Sequence, residues 1–161
     1  SIDISEKRLL RLKENLKRTN LDAQVEVICA DILKWNPQQQ YDVVLLDAPC
    51  SATGTLRRHP DLPYIRKASD IQSLIDLQAK LLDRIKTWIK GDGLLIYCTC
   101  SLQKDEGERQ IESFLSQNSN FTRHSMKQHD NYQTPDGDIR LLPTNNDMDG
   151  FFISCLSNKP E

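Results

Sequence analysis

The sequence predicts an α/β domain whose mostly parallel sheet is closed by an antiparallel terminal strand. Three patterns carry that expectation. Short apolar runs at residues 25–29, 41–46 (YDVVLL) and 94–97 (LLIY) are bounded by turn residues, as buried parallel strands are. Helical patterns with apolar side chains three or four apart separate these runs, as crossovers between parallel strands require. Finally, Asp149-Gly150 leads into the apolar run FFISCL at 151–156, a tight turn that favours an antiparallel edge strand.

Taken in order, residues 1–4 read as the end of a strand, and Ser5 as the cap of a helix that carries Leu9, Leu12 and Leu16 on one face and ends near Asn20. The strand at 25–29 follows, then a polar loop at 35–40, then the central strand ending at Asp47. Residues 51–67 form a long irregular segment. Ser69-Asp70-Ile71-Gln72 fits a capping box, and an apolar stripe from Ile71 to Ile89 then runs until Gly91 and Gly93 stop the helix. Beyond the strand at 94–97, Asp105, Glu106 and Glu108 precede Ile111, Phe114 and Leu115, so acids at the amino end predict a short helix to about Asn118. Residues 121–126 read as a strand, and 127–148 as a polar loop that touches the core at 139–142.

A chain of 161 residues suffices for one domain with a real core. Its formal net charge of −2 argues against a protein that grips nucleic acid unaided, though not against a catalytic domain served by another module. No apolar run spans a bilayer and charges interrupt the leucines of residues 1–10, so the expectation is a cytoplasmic protein without a membrane partner.

Five cysteines lack the even, regular spacing of a disulfide framework. Cys98-Thr99-Cys100 with Cys50 would offer zinc three thiols, yet no CxxC or HxxxH pair completes a structural set, and no metal site is expected. Cys29 and Cys155 lie inside apolar runs and read as space-filling side chains. Cys50 and Cys100 instead lie just past strand ends, beside Pro, Ser and Thr. The carboxyl ends of neighbouring parallel strands converge on one crevice, so these two thiols are expected to face each other across a single pocket. There a thiolate of lowered pKa can add to an electron-poor carbon.

Asp3, Asp31 and Asp47 each follow a predicted strand and together suggest a rim for a ligand rich in hydrogen-bond donors. For Asp3 two readings stand: an acceptor for ribose hydroxyls of a nucleotide-type cofactor, or a charge favouring the adjacent helix amino terminus. Arg57, Arg58, His59 and Tyr64 likewise either hold phosphates and stack on a base, or form a solvated loop whose arginines pair with acids.

Asp47-Ala48-Pro49-Cys50-Ser51-Ala52-Thr53-Gly54 and Thr99-Cys100-Ser101 resemble the fourth and sixth motifs of the RNA (cytosine-5)-methyltransferases. Arg57-Arg58-His59-Pro60-Asp61 and Asp149-Gly150-Phe151-Phe152 resemble in particular the bacterial Sun/Fmu type, which acts on 16S ribosomal RNA. The likeness runs over essentially the whole chain. It implies a Rossmann-like methyltransferase fold that uses S-adenosylmethionine. It further implies Cys100 as the nucleophile toward carbon 6 of a cytosine, and Cys50 in the later release of the enzyme. Asp3 then corresponds to the ribose contact, Asp31 to the adenine, and Asp47 to the reacting end of the cofactor or the cytosine edge; the target base must be unstacked. A non-catalytic RNA-binding or assembly module on a degenerate version of this fold is the alternative.

One departure qualifies the resemblance. The family's first strand, glycine-rich loop and following helix should precede residue 1, and the six glycines present include no GxG. The expectation is therefore a single, partial catalytic domain over 1–161, inactive by itself. Its interrupted sheet should expose an apolar edge near the strand at 25–29 and pair as a homodimer or strand-swapped assembly.

Overall fold

A computed structural model describes residues 1–126, 131–144 and 147–159. Parts of the predicted 127–148 loop, residues 127–130 and 145–146, lie outside the described residues. The chain divides into two compact units, residues 1–38 and 39–161.

In the first unit, strand β1 (Ile2–Asp3) leads into helix α1 (Glu6–Arg18) and returns to strand β2 (Ile28–Cys29). The strands pair in parallel, with Asp3 opposite Cys29. Ser5 caps α1 as expected, its Oγ accepting from the Arg8 amide at 3.4 Å. Glu6 in the first turn and Lys17 and Arg18 in the last suit the helix dipole. β2 is shorter than the apolar run that predicted it, because only its last two residues meet a partner strand. Cys29 is exposed there, contrary to its space-filling assignment, with its sulfur 3.8 Å from the Ile4 carbonyl oxygen.

The second unit contains strand β3 (Tyr41–Asp47), a short helix α2 (Leu62–Ile65), and the long helix α3 (Ala68–Ile85). Strand β4 (Ile89–Thr99), helix α4 (Glu108–Gln117), and strands β5 (Phe121–Arg123), β6 (Ile139–Leu141) and β7 (Phe151–Asn158) complete it. The sheet order is β3-β4-β7-β5, with β6 also on β7; β3 and β4 are parallel, and β7 runs antiparallel to its neighbours. The predicted antiparallel direction of β7 holds, but its edge position does not. β6 occupies one end of its free side, opposite 151–153, and β5 the other, opposite 156–158.

The α3 cap also differs from the expected Ser69 box: the helix starts at Ala68, and the Lys67 amide donates to Asp70 Oδ2 at 3.0 Å. The glycines at 91 and 93 lie inside β4 rather than between helix and strand. The ladder to β3 jumps from Tyr41–Ile89 to Val43–Leu94, and the excess residues bulge out, with Asp92 at φ 65°. Leu95, Tyr97, Phe152, Leu156, Ile111, Leu82 and Ile85 form the core between sheet and helices. On the far side β3 has no partner strand among the described residues, and Val43 and Leu45 remain 51 % and 64 % exposed. The exposed apolar side chains expected near 25–29 are thus on β3, while β2 is covered on one side by β1.

Two backbones meet where the site is built. Gly54 donates its amide to the Cys100 carbonyl at 2.9 Å, and its own carbonyl accepts from the Gly150 amide at 2.8 Å. A Cβ on Gly54 would lie 2.1 Å from the Gly150 carbonyl oxygen, so glycine is required by close approach. Gly54→Ala should therefore destabilise the fold by about 1–3 kcal/mol or more in denaturant titration; unchanged stability would contradict this packing.

Candidate active site

The parallel register of β3 and β4 sets Asp47 opposite Cys98, so the two chains leave the sheet side by side. The pairing continues into the loops, where the Ala48 amide donates to the Cys98 carbonyl at 2.9 Å. Cys50 and Cys100 emerge next, both half-buried, with sulfur atoms 3.5 Å apart. The two thiols expected to share a pocket are in direct contact. The hydrogen bond between them shifts the two thiols in opposite directions. The bond to Cys100 and burial push the Cys50 pKa far above the ordinary thiol range. The same bond pulls Cys100 down to about 7, against desolvation and the negative charges of Asp47 and Glu106. Cys98 is different: burial and Asp47, whose Oδ1 lies 3.8 Å from its sulfur, push it up to about 12. Cys100 is the thiol of this group that ionises near neutrality.

Beneath the pair lies a buried polar cluster. Glu106 Oε1 accepts from the Ser51 amide at 2.9 Å and from Gln78 Nε2 at 3.1 Å. Oε2 accepts from Ser51 Oγ at 2.5 Å and Ser101 Oγ at 2.6 Å. Gln78 Nε2 also donates to the Pro49 carbonyl at 2.8 Å. Ser51, Gln78, Ser101 and Glu106 are all fully buried. In the sequence Glu106 reads as one of the acids that favour a helix amino terminus, and Ser51, Gln78 and Ser101 carry no role there. No periodicity marks these residues, because their partners lie in three other elements; the one available signal was a serine directly after each motif cysteine.

The remaining predicted site residues stand as follows. Asp47, exposed at the exit of β3, adjoins Cys98 and acts electrostatically on Cys100. Asp3 Oδ1 accepts from the Ser5 amide at 2.7 Å and pairs with Arg8 at 2.9 Å, so it does serve the helix amino terminus. Asp31 Oδ1 accepts from the Leu33 amide at 3.0 Å. Both belong to the first unit, one at the end of each paired strand. Arg57 and Arg58 reach Asp149 at 3.5 Å and 2.6 Å, with Arg57 also 3.9 Å from Asp147, so the arginine–acid pairing foreseen for this loop is present. Both guanidinium groups stay about half exposed, His59 is exposed, and Tyr64 is 91 % exposed. Among the described residues no group of three or more His, Cys, Asp and Glu side chains is arranged to hold a metal ion, and no helix is long and apolar enough to cross a membrane.

The mixed α/β sheet, with β3 and β4 parallel and β7 antiparallel, is that of a methyltransferase fold, as solved structures of similar sequence show. One is NSun6 from Pyrococcus horikoshii with SFG, at TM-score 0.86 and 25% identity over 99% of this chain and 41% of that one. Another is a methyltransferase homolog protein from the same organism, at TM-score 0.77 and 27% identity over 98% and 52%. The family described as 16S rRNA methyltransferase RsmB/F matches residues 1–157, and the chain belongs to it. Among curated relatives, ribosomal RNA small subunit methyltransferase B of Photorhabdus laumondii is 41% identical over 99% of this chain and 36% of its own length. That of Vibrio vulnificus is 40% identical over 97% and 35%. The chain thus spans about a third of the length of these relatives.

The thiol geometry predicts a pH profile. Alkylation of Cys100 by iodoacetamide, followed by peptide mass spectrometry, should rise as pH increases through about 7. In Cys50→Ala the hydrogen bond is lost, and the inflection should move up toward the ordinary thiol value of about 8.5. An unmoved inflection would contradict this effect of the hydrogen bond.

Proposed function

We propose that this chain is part of the catalytic domain of a cytoplasmic methyltransferase that acts on carbon 5 of a cytosine in 16S ribosomal RNA. The observation that carries the reading is the Cys50–Cys100 contact at 3.5 Å beyond two parallel strands, with Cys100 ionising near neutrality. Membership of the RsmB/F family supports it, and because the match covers residues 1–157 we assign both compact units to one catalytic domain.

The roles follow from the chemistry each group offers. Cys100, as thiolate, bonds to carbon 6 of the ring and displaces electron density onto carbon 5. S-adenosylmethionine, when bound, supplies the methyl group. A base, for which solvent water suffices, then takes the carbon 5 proton; the electrons of that bond re-form the carbon 5–carbon 6 double bond as the carbon 6–sulfur bond breaks and Cys100 leaves as thiolate. Cys50 keeps its proton at neutral pH, donates it as a hydrogen bond to Cys100 before attack, and takes part in release afterwards. Asp47 lies near the reacting end of the cofactor, where its charge suits the sulfonium, or accepts from the cytosine amino group.

For the cofactor, the acids suit the donors of an adenosine: Asp3 for ribose hydroxyls and Asp31 near the adenine. Four of the six glycines offer no cradle for the methionine end. Gly54, Gly93, Gly107 and Gly150 all lie against the chain's own atoms. We assign that contact to sequence present in the longer relatives and expect no methyl transfer from the 161 residues alone. On the RNA side, Tyr64 is free to stack on a base and His59 to meet phosphate. Arg57 and Arg58, oriented by Asp149, contribute the exposed half of their guanidinium groups.

In a protein of the relatives' full length, Cys50→Ala should slow release by about 10²-fold or more and accumulate a covalent protein–RNA adduct on denaturing gels. Adding Cys100→Ala should abolish that adduct; an adduct that persists without Cys100 would reverse the two roles. The isolated 161-residue chain should self-associate through the open β3 edge, with its exposed Val43 and Leu45. Sedimentation at micromolar concentration should give a dimer or larger particle, and a strict monomer would refute this.

A further inference from the structure

We infer that Glu106 is a positioning residue that sets the distance and alignment of the Cys50–Cys100 pair by strapping together the residue that follows each cysteine. The inference deepens the reading of Cys100 as nucleophile and rests on it for its bearing on methylation.

A fully buried carboxylate is costly unless its oxygens are satisfied. Among the described residues Glu106 forms no ion pair, and its charge is met by hydrogen-bond donors alone. Three of its four side-chain bonds come from the two motif loops: the Ser51 amide, Ser51 Oγ and Ser101 Oγ. The fourth comes from Gln78 of α3, which also holds the Pro49 carbonyl. Cys50 is therefore fixed on both sides, at 49 through Gln78 and at 51 through Glu106, while Cys100 is fixed through 101. The Gln110 amide, 3.3 Å from Gln78 Oε1, orients Gln78 in turn.

The glutamate is itself anchored independently of the thiols. Its backbone carbonyl accepts from Tyr97 Oη at 2.8 Å and from Thr99 Oγ1 at 3.3 Å, both on β4. The strap thus runs from the rigid sheet, through one turn, to both loops. Such a cluster exceeds the needs of folding, because apolar side chains of similar volume would fill the space without burying a charge. What it supplies is a fixed sulfur-to-sulfur geometry.

The charge and the strap act on Cys100 in opposite senses, which separates them by experiment. The titratable groups that influence Cys100 are Cys50, Asp47 and Glu106. The Cys50 hydrogen bond is the largest of these influences and lowers the Cys100 pKa; the Glu106 charge raises it and is the smallest. Glu106→Gln removes the charge, and its amide still offers polar partners to Ser51 and Ser101, whose hydroxyls can reverse their bonds. Glu106→Ala removes charge and strap together.

The test is the pH profile of Cys100 alkylation in the full-length protein, without RNA or methyl donor. Glu106→Gln should move the inflection below that of the native protein by a few tenths of a pH unit, and Glu106→Ala should move it up by about one unit. Shifts in the same direction, or no shift in either folded variant, would overturn the inference. Should Glu106→Ala not fold, Ser101→Ala keeps the charge and cuts one strap; its inflection should also rise, and an unmoved value would overturn the inference equally. Since only thiols are read, failure here is distinguishable from failure to trap an RNA adduct.

Discussion

The contact between two sulfur atoms past the ends of β3 and β4 is the constraint around which the second unit is arranged. It exists because those strands are parallel and in register, with Asp47 beside Cys98, so their loops leave the sheet together. An antiparallel pair would have sent the two exits to opposite ends of the sheet. Each further layer preserves this proximity: backbone bonds from Ala48 and Gly54 into the second loop, then the buried cluster beneath.

Burial and charge would both keep two adjacent thiols protonated, and Asp47 and Glu106 strengthen that tendency. Hydrogen bonds run the other way: backbone bonds favour the anion at each thiol, and the bond between the sulfurs, the largest influence on Cys100, favours it on that one alone. The geometry thereby converts a chemically symmetric pair into unequal partners, one that keeps its proton and one that gives it up near neutral pH. That asymmetry is what nucleophilic addition by one cysteine, assisted by the other, requires. The wall behind Cys100 is held just as firmly. Arg140 donates to the Ser101 carbonyl at 2.8 Å, pairs with Glu108, and lies over the Phe152 ring at 4.8 Å.

The features legible in the sequence were those that local pattern encodes. The apolar run YDVVLL, the stripe of α3 and the cap at Ser5 each depend on neighbours close in sequence, and each formed. The meeting of Cys50 and Cys100 was legible because parallel strand ends converge by rule. The position of β7 was not, because whether a terminal strand lies at an edge depends on β5 and β6, whose short runs carry little pattern. Glu106 was hidden for a different reason. A carboxylate ahead of a helix has an ordinary explanation in the helix dipole, and only the three-dimensional convergence of Ser51, Gln78 and Ser101 identifies another. Asp3 shows the reverse, with the ordinary explanation present in the structure through Ser5 and Arg8.

The most direct test of the central claim is bridging by a trivalent arsenical, which binds tightly only where two thiols lie within reach of one arsenic atom. The sulfur–sulfur contact at 3.5 Å predicts tight binding of one arsenical per chain, lost on replacing either Cys50 or Cys100 with alanine and kept on replacing Cys98. Binding that survives loss of Cys100, or no tight binding in the reduced protein, would contradict the account.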